Sequence, residues 1–504
     1  MKIAYFLDIS SGLGGAGDLL LKQAVLMSQL YEVIVVIPCN EKGIMNEEYA
    51  KRCISKGLEF HALFYPTSFN FYNVDLINSL NCLQHIKDFA LKEKISFFHS
   101  VQINIAVEIV SRCLNIPHLM NVYQLKKEEF RLARGDIFPK FHLCDSELYS
   151  KLWSDQMKIE SHCIRPVAPQ NNIIKKNNYN KKYLKILMLG TLCERKNQLA
   201  AIKVIEKCLL KSDVILEIAG DDTSDYASEC KEYVEQHNLD KNVHFFGFVS
   251  DVSELLKEND CLLCTSLDES FPSSIVEAVT YDLTIISTPV AGVPELFINE
   301  LNAFISTDYS IQSIYDSLML CIEFYNNQKI KEIHKKAEET WHTHFSPNVI
   351  RESINNLYQD IVERKISIKK EINIEALKKE VYETYILLDG LKNDNRENIK
   401  KKSYYYSFIK KKIVNGKVYI WGAGNFGRLA YELINIFHMD IEIVAFIDKE
   451  KEGDYLGIPI IKPEEIDFEN VNYFFISFYK KNTEAIEFLK QNNKIYNKDV
   501  WLLP

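Results

Sequence analysis

Four charged residues in two places of this chain have the types and spacing to hold an anionic, hydroxyl-rich ligand. Glu269 and Glu277 bracket the run Ser-Phe-Pro-Ser-Ser-Ile-Val, and Arg195 and Lys196 lie upstream in Gly190-Thr-Leu-Cys-Glu-Arg-Lys-Asn197. Pro272 is pre-set for the first position of a helix, with Ser270 or Phe271 as its cap. The first turn of that helix leaves amides at Ser273, Ser274 and Ile275 without internal partners, and such amides suit a diphosphate. Glu277 then falls about 7 Å along the helix, at about 1.5 Å per residue. That distance suits a carboxylate that accepts two hydrogen bonds from a ribose diol. Glu269, still in the loop, would face a sugar. A solvated acid ahead of a capped amphipathic helix would account for either glutamate alone; the pair acquires meaning from its companions.

The elements around these residues read as alternating strands and helices. Lys185-Ile-Leu-Met-Leu-Gly190 is a short apolar run, and Gln198 to Leu210 has helical apolar spacing, so Arg195 and Lys196 occupy a strand-to-helix turn. Turns at the carboxyl ends of parallel strands are where α/β sheets bind ligands. Two cations there can neutralise a leaving diphosphate, the arginine as a planar fork and the lysine as a point charge; an exposed helix start would use the same pair. At the amino terminus, Lys2-Ile-Ala-Tyr-Phe-Leu7 leads into Ser10-Ser-Gly-Leu-Gly14-Gly15-Ala-Gly17 and a helix from Leu19. This is a strand, a glycine-rich loop and a helix, in which glycine lets backbone approach phosphate closely.

With these residues in this order, the chain resembles glycosyltransferase family 4 over about residues 1 to 365, most closely between 185 and 305. Gly14, Gly15, Arg195, Lys196, Glu269, Glu277 and Ala291-Gly-Val-Pro-Glu295 carry the resemblance. It implies the GT-B fold, two facing Rossmann-like parallel-sheet domains, and transfer from a nucleotide-sugar donor (a UDP- or GDP-sugar) with retention at the anomeric carbon. It further implies that backbone near Phe248 and Val249 holds the base and Glu277 the ribose. Arg195, Lys196 and the Gly15 loop would hold the diphosphate, and Glu269 the sugar. Gly190, Phe271, Ser273, Ser274 and Ile275 complete the expected nucleotide-binding set, with Arg195, Lys196 and Glu269 as the catalytic one. The chain departs from the family pattern in three places: Thr191 stands where many members carry arginine, Tyr123 where many carry histidine, and Ala291 where glycine is common. His99 is a loose substitute for the histidine and reads better as structural.

The implied mechanism stabilises the departing diphosphate electrostatically and aligns an acceptor hydroxyl. No Asp-x-Asp occurs in the chain. Carboxylates of that kind hold a divalent ion on the diphosphate in the other common transferase architecture, so no metal ligands are expected and no cofactor is required for transfer. The acceptor would be a glycan or a lipid-linked saccharide, in cell-surface polysaccharide synthesis. A catalytically inactive GT-B protein that senses sugar nucleotides or scaffolds an assembly is the alternative, motivated by Thr191 and Tyr123. Another GT-B activity, such as a sugar-nucleotide epimerase or a synthase using free sugar, would also fit.

Composition agrees. The chain has 504 residues, 47% hydrophobic and 26% charged, enough for about three domains. A net charge of -9 disfavours a nucleic-acid partner. Its 12 cysteines lack metal-finger spacing, and Cys261-Leu-Leu-Cys264 lies in a strand-like run whose side chains would not converge. The amino terminus has no basic region followed by a removable apolar core, and no run of about eighteen apolar residues occurs. A reduced cytosolic setting is expected, with the inner face of the plasma membrane as a peripheral site. The expected divisions are a domain over 1–169, a donor domain over 182–346, and a crossover helix over 347–365 that braces the first domain. The polar stretch 171–180 reads as an interdomain linker. His342 and His344, two apart, read as loop residues.

From 366 to 415 the composition turns to lysine-rich helical periodicity, ending in the cluster Lys400-Lys-Lys-Ser-Tyr-Tyr-Tyr-Ser-Phe-Ile-Lys-Lys-Lys412. Interleaved cations and aromatic rings suit an anionic membrane surface, and equally a connecting helix that packs its tyrosines on a neighbour. Residues 416–504 form a third, small Rossmann-like domain. There Gly422-Ala-Gly424-Asn-Phe-Gly427 follows one strand and Asp448 ends the next. That is the glycine fingerprint in its strand-to-helix setting, with an acid for a ribose. A nucleotide ligand, a purely structural role and an NAD-dependent oxidoreductase are the readings it leaves open.

Overall fold

The computed structural model describes residues 1–8, 15–40, 43–65, 76–102, 104–123, 140–157, 159–168, 183–365, 416–424, 427, 430–431, 441–476, 482–495 and 500–502. Gly14, the expected linker 171–180 and the lysine-rich segment 366–415 lie outside the described residues. The chain divides into two compact units, residues 1–69 with 82–370 and residues 70–81 with 371–504.

In the first unit, the described residues form two parallel sheets. The first has seven strands: β1 (Lys2–Phe6), β2 (Glu32–Cys39), β3 (Glu59–Phe64), β4 (Phe97–Val101), β5 (His118–Asn121), β6 (Phe141–Cys144) and β7 (Glu160–Cys163), in the order 3-2-1-4-5-6-7. Strands such as Lys-Ile-Ala-Tyr-Phe are apolar almost throughout because helices cover both faces of a parallel sheet. Alternate side chains serve opposite layers. Tyr5 and Phe97 pack with Leu20 of the helix Gly15–Met27, whereas Phe6 and Phe98 pack with Ile86 of the helix Leu76–Lys92.

The second sheet contains β8 (Leu184–Leu189), β9 (Val214–Ala219), β10 (Val243–Gly247), β11 (Cys261–Cys264), β12 (Thr284–Ser287) and β13 (Phe304–Ile305), ordered 10-9-8-11-12-13. Its neighbouring strands are all parallel. Strand order reverses at β8 and β11, and a ligand crevice is expected beyond their carboxyl ends. Arg195 follows β8 and Glu269 follows β11. The two sheets together are the GT-B arrangement.

The helix Pro347–Lys365 returns from the second sheet to the first, where Ile350, Ile354, Leu357, Tyr358 and Ile361 enter the core around Tyr5. Tyr358 Oη lies 2.5 Å from both Tyr5 Oη and His99 Nδ1. His99 Nε2 meets Asn121 Oδ1 at 2.8 Å. Burial pushes the His99 pKa down to about 3, so this residue is a neutral core histidine.

Two local expectations are corrected. His342 and His344 belong to the last turn of the helix Ile330–His344, not to a loop. Ile330, Ile333, Ala337 and Trp341 bury one continuous face, which carries the helix through to Phe345. Pro272 is the cap of the helix Ser273–Val279 rather than its first residue, so the helix starts one position later than expected. The 12 cysteines are all free thiols, and Cys261 and Cys264 are buried along β11 as the strand reading requires. Among the described residues, no helix is long and apolar enough to cross a membrane.

The second unit, as described, holds β14 (Gly416–Trp421), β15 (Ile441–Ile447), β16 (Asp454–Tyr455), β17 (Ile458–Ile461), β18 (Tyr473–Ile476) and β19 (Val500–Leu502). Their order is 16-17-15-14-18-19, with only the β16–β17 pair antiparallel. Gly422 turns the chain at φ 113°, and a Cβ at Gly427 would meet its carbonyl oxygen at 1.8 Å. Gly424 stands in open space. Asp448 Oδ2 accepts from the Ala423 amide at 2.9 Å, and Oδ1 accepts from Glu450 and Lys451 at 3.0 and 3.1 Å. Burial works to raise its pKa, and these amides outweigh it, holding the carboxyl below its usual range. The acid expected to face a ribose is thus engaged by the protein's own turn.

Candidate functional site

The site is built from turns at the carboxyl ends of strands. Gly190 leaves β8 at φ 132°, and a Cβ there would sit 3.3 Å from Lys196 Cε, so glycine makes room for the lysine stem. The turn that follows is closed on itself. Gln198 accepts from the Cys193 amide at 3.3 Å and donates to the Thr191 carbonyl at 3.1 Å. It is also tied to the loop after β11: Thr265 Oγ1 donates to the Lys196 and Asn197 carbonyls at 3.0 and 2.8 Å, and the Leu267 amide donates to the Arg195 carbonyl at 2.8 Å.

These ties bring charges together. Glu269 Oε1 lies 2.5 Å from Lys196 Nζ and 2.6 Å from Arg195 Nη1, and its side chain is 14% exposed. Burial acts to raise the Glu269 pKa; the lysine and then the arginine overcome it and hold the carboxylate below its ordinary range. Arg195 also donates to the Asp268 carbonyl at 2.8 Å. Glu269 serves as counter-charge to both cations. Glu277 Oε1 meets Lys22 Nζ of the helix Gly15–Met27 at 2.5 Å, and Lys22 reaches Asp18 at 3.1 Å.

A cavity of about 420 Å³ opens between the two sheets of the first unit. Arg195, Lys196, Glu269 and Glu277 line it, together with Gly15 and Gly190. Phe248, Val249, Phe271, Ser273 and Ser274 also line it. Ile275 does not. Its side chain is fully buried, and its amide donates to the Pro272 carbonyl at 3.1 Å, which removes it from the expected anion site. A 3₁₀-type bond that tightens the first turn is the reason. Gly422, Gly424, Gly427 and Asp448 belong to the other unit.

Several lining residues, Tyr123 apart, have no counterpart in the expectations from sequence. The first sheet contributes Gln102, Tyr123 and Asp145, which follow β4, β5 and β6. Gln102 has a left-handed backbone at φ 58°, a conformation costly for a residue with a side chain. Asn121 Nδ2 donates to Tyr123 Oη at 2.8 Å and to Gln23 Oε1 at 2.9 Å. Asp145 accepts from Ser270 Oγ, next to Glu269, and its carbonyl accepts from Arg165 at 3.0 Å. Burial pushes the Asp145 carboxyl up to about 7, against the Ser270 hydrogen bond and with help from Glu269. A carboxylate straight after an apolar strand-like run was the available signal; its partner lies 125 residues away in sequence. Asp221, after β9, also lines the cavity. Among the described residues, Glu59, His61 and Glu93 form a three-residue group with the chemistry for a metal, and none of them lines the cavity.

Comparison with known proteins agrees with this geometry. Residues 169–340 match the family described as glycosyl transferases group 1, and residues 414–498 match the family described as C2185-like, N-terminal. The GPI3 subunit of phosphatidylinositol N-acetylglucosaminyltransferase from Saccharomyces cerevisiae is 28% identical over 220 residues, 43% of this chain and 44% of the yeast protein. This chain therefore spans less than half the length of that relative. The UDP-Gal:alpha-D-GlcNAc-diphosphoundecaprenol alpha-1,3-galactosyltransferase of Escherichia coli is 27% identical over 293 residues, 51% of this chain and 74% of that one. Among solved structures, Anabaena Alr3699/HepE in complex with UDP-glucose superposes with a TM-score of 0.59 at 18% identity, covering 71% of this chain and all of that one. At that identity the superposition establishes the shared fold.

Proposed function

We propose, for a chain whose residues 169–340 are a glycosyl transferases group 1 domain, that it transfers a sugar from a nucleotide-sugar donor to a glycan or lipid-linked acceptor, with retention at the anomeric carbon. The observation that carries this reading is the convergence of Arg195, Lys196, Glu269 and Glu277 on one cavity between two parallel sheets. The E. coli relative, named for a UDP-galactose donor and a diphosphoundecaprenol acceptor, supports a lipid-linked acceptor.

The chemistry follows from the charges. A donor diphosphate offers Arg195 and Lys196 an anion that replaces Glu269 as their counter-charge, and negative charge grows on that diphosphate as the glycosidic bond breaks. Cations already fixed by the Thr265 and Asp268 contacts stabilise that charge without reorganising. Glu269, released from the ion pair, is free to accept hydrogen bonds from the sugar. Glu277 takes the ribose diol, which requires it to exchange Lys22 for two hydroxyls. In retention with same-face attack, the leaving phosphate oxygen takes the acceptor proton, and no separate base is needed. Two fixed cations supply the neutralisation a metal would give, so transfer is metal-independent in this reading.

A cytoplasmic enzyme that meets anionic lipid through the Lys400–Lys412 cluster completes the proposal, and the glycine turn at Gly422 suits the second unit to a nucleotide. The test is thermal stabilisation by a panel of UDP-, GDP-, ADP- and CMP-sugars. A ligand that binds only the folded protein adds about 2.7 kcal/mol at ~100 Kd. One donor should stabilise the wild type and fail to stabilise Glu277→Ala. A response to no donor, or an equal response in the variant, rejects the pocket. Donor binding with neither transfer nor slow hydrolysis would favour an inactive sensor instead.

A further inference from the structure

The wall of the cavity contributed by the first sheet has polar groups that the proposed donor contacts leave unused. Gln102, Tyr123 and Asp145 follow β4, β5 and β6, which are neighbours in the sheet. Adjacent strands lie about 4.8 Å apart, so the three positions form a row roughly 10 Å long. That is about the span of a pyranose with its hydroxyls. The row faces the loop of Glu269, because Asp145 accepts from Ser270, the next residue in the chain.

Two members of the row are buried polar groups. Asp145 is 3% exposed and Gln102 is 6% exposed, and both line the cavity. Gln102 lines the cavity with a left-handed backbone, a costly conformation for a residue with a side chain. Its carboxamide can both donate to and accept from a hydroxyl of a bound ligand. Tyr123 is held from behind by Asn121, which fixes its phenol oxygen in the row.

We propose that Gln102 and Asp145 recognise the hydroxyls of the donor's sugar and thereby select which hexose is transferred, an inference that rests on the donor-binding role proposed above. Asp145 accepts a hydrogen bond from one hydroxyl. Gln102 donates to and accepts from another. The groups that face Asp145 are Ser270 and Glu269 from the loop after β11, Arg165 from the segment after β7, and Tyr123 from the row itself. Asp145 is therefore tuned from both sheets.

The experiment compares binding of UDP with that of UDP-glucose, UDP-galactose and UDP-N-acetylglucosamine, and of GDP with GDP-mannose, by titration calorimetry. The proteins are the full-length wild type, Asp145→Asn, Asp145→Ala and Gln102→Ala. Each alanine variant should lose about tenfold in affinity for the preferred nucleotide sugar, with the free nucleotide within twofold of wild type, and the ranking among hexoses should narrow. Asp145→Asn keeps the shape and separates loss of the acceptor from loss of packing; it should weaken the nucleotide sugar as well. Retained binding of the free nucleotide shows that each variant is folded. Wild-type affinity and ranking for nucleotide sugars in both alanine variants would overturn the inference. A wild type that binds neither free nucleotides nor nucleotide sugars would instead overturn the donor-binding reading.

Discussion

In the proposed reaction, charge stabilisation depends most directly on Lys196, because it is more enclosed than Arg195 and stands 2.5 Å from the partly buried Glu269 carboxylate. Removal of one fixed donor to a developing oxyanion costs about 10²–10³ in kcat. Lys196→Ala should therefore lower kcat by about that factor at saturating donor, read from single-turnover transfer; a variant with near-normal kcat would remove Lys196 from the transition state. Asp145 offers a second measurement, in pH. In the unfolded chain it loses its proton near 3.8, whereas burial holds the folded carboxyl up to about 7. Between those values the folded protein binds the proton that the unfolded chain has released, so this contribution is complete below 3.8 and is lost as pH rises through about 7. Asp145→Asn stays neutral and should gain melting temperature over the wild type from pH 5 to pH 8; a constant difference would show an unperturbed carboxyl. The acids and cations after β8 and β11 were legible because each lies in a short strand-to-helix turn of characteristic composition. Asp145 and Gln102 were not, since each is a single polar residue after a strand, given meaning by a loop more than a hundred residues away.

At the scale of elements, the parallel strands were legible from uninterrupted apolar runs, and the helix Gln198–Cys208 from its spacing. Errors arose at helix ends. Propensity does not distinguish a cap from a first residue at Pro272, nor does it foresee the 3₁₀-type bond to the Pro272 carbonyl that removes the Ile275 amide from the anion site. The turn Thr191–Asn197 shows how a loop is made rigid: Thr265, buried after β11, fastens its last two carbonyls. Thr265→Val keeps the shape and leaves those carbonyls without this donor, a loss of about 1–3 kcal/mol. The first unit should melt earlier, and the KM for donor should rise more than the KM for acceptor as the cations lose their fixed positions. An unchanged donor KM would show that Gln198 and the Leu267 amide suffice to hold the turn.

At the scale of the first unit, ion pairs join the two sheet domains beside hydrogen bonds such as Ser270 to Asp145 and Ser146 to Ser270. Glu295, in the short helix Val293–Leu296, accepts from the amides of Glu147 and Leu148 at 3.0 and 2.9 Å and pairs with Arg165 at 2.7 Å. It thus supplies a negative charge to the start of the helix Glu147–Met157, where amides and helix dipole both favour one. Opposite it, Lys22 holds Glu277. The two contacts would differ in what the proposed donor does to them: a ribose on Glu277 would displace Lys22, whereas Glu295 does not line the cavity. In the proposed binding mode, Glu295 would act as a permanent clasp and Lys22 as a catch released by substrate. Lys22→Ala should leave the compactness of the two sheet domains intact through Glu295 and tighten nucleotide binding by removing a competitor. Lys22→Ala combined with Glu295→Ala should increase the radius of gyration in small-angle scattering without ligand, and nucleotide sugar should restore most of the difference. Both contacts are partly exposed to solvent and are screened by salt, so the wild type should move in the same direction as ionic strength rises. A double variant as compact as the wild type at every salt concentration would assign closure to apolar packing and leave Glu295 as a helix cap alone.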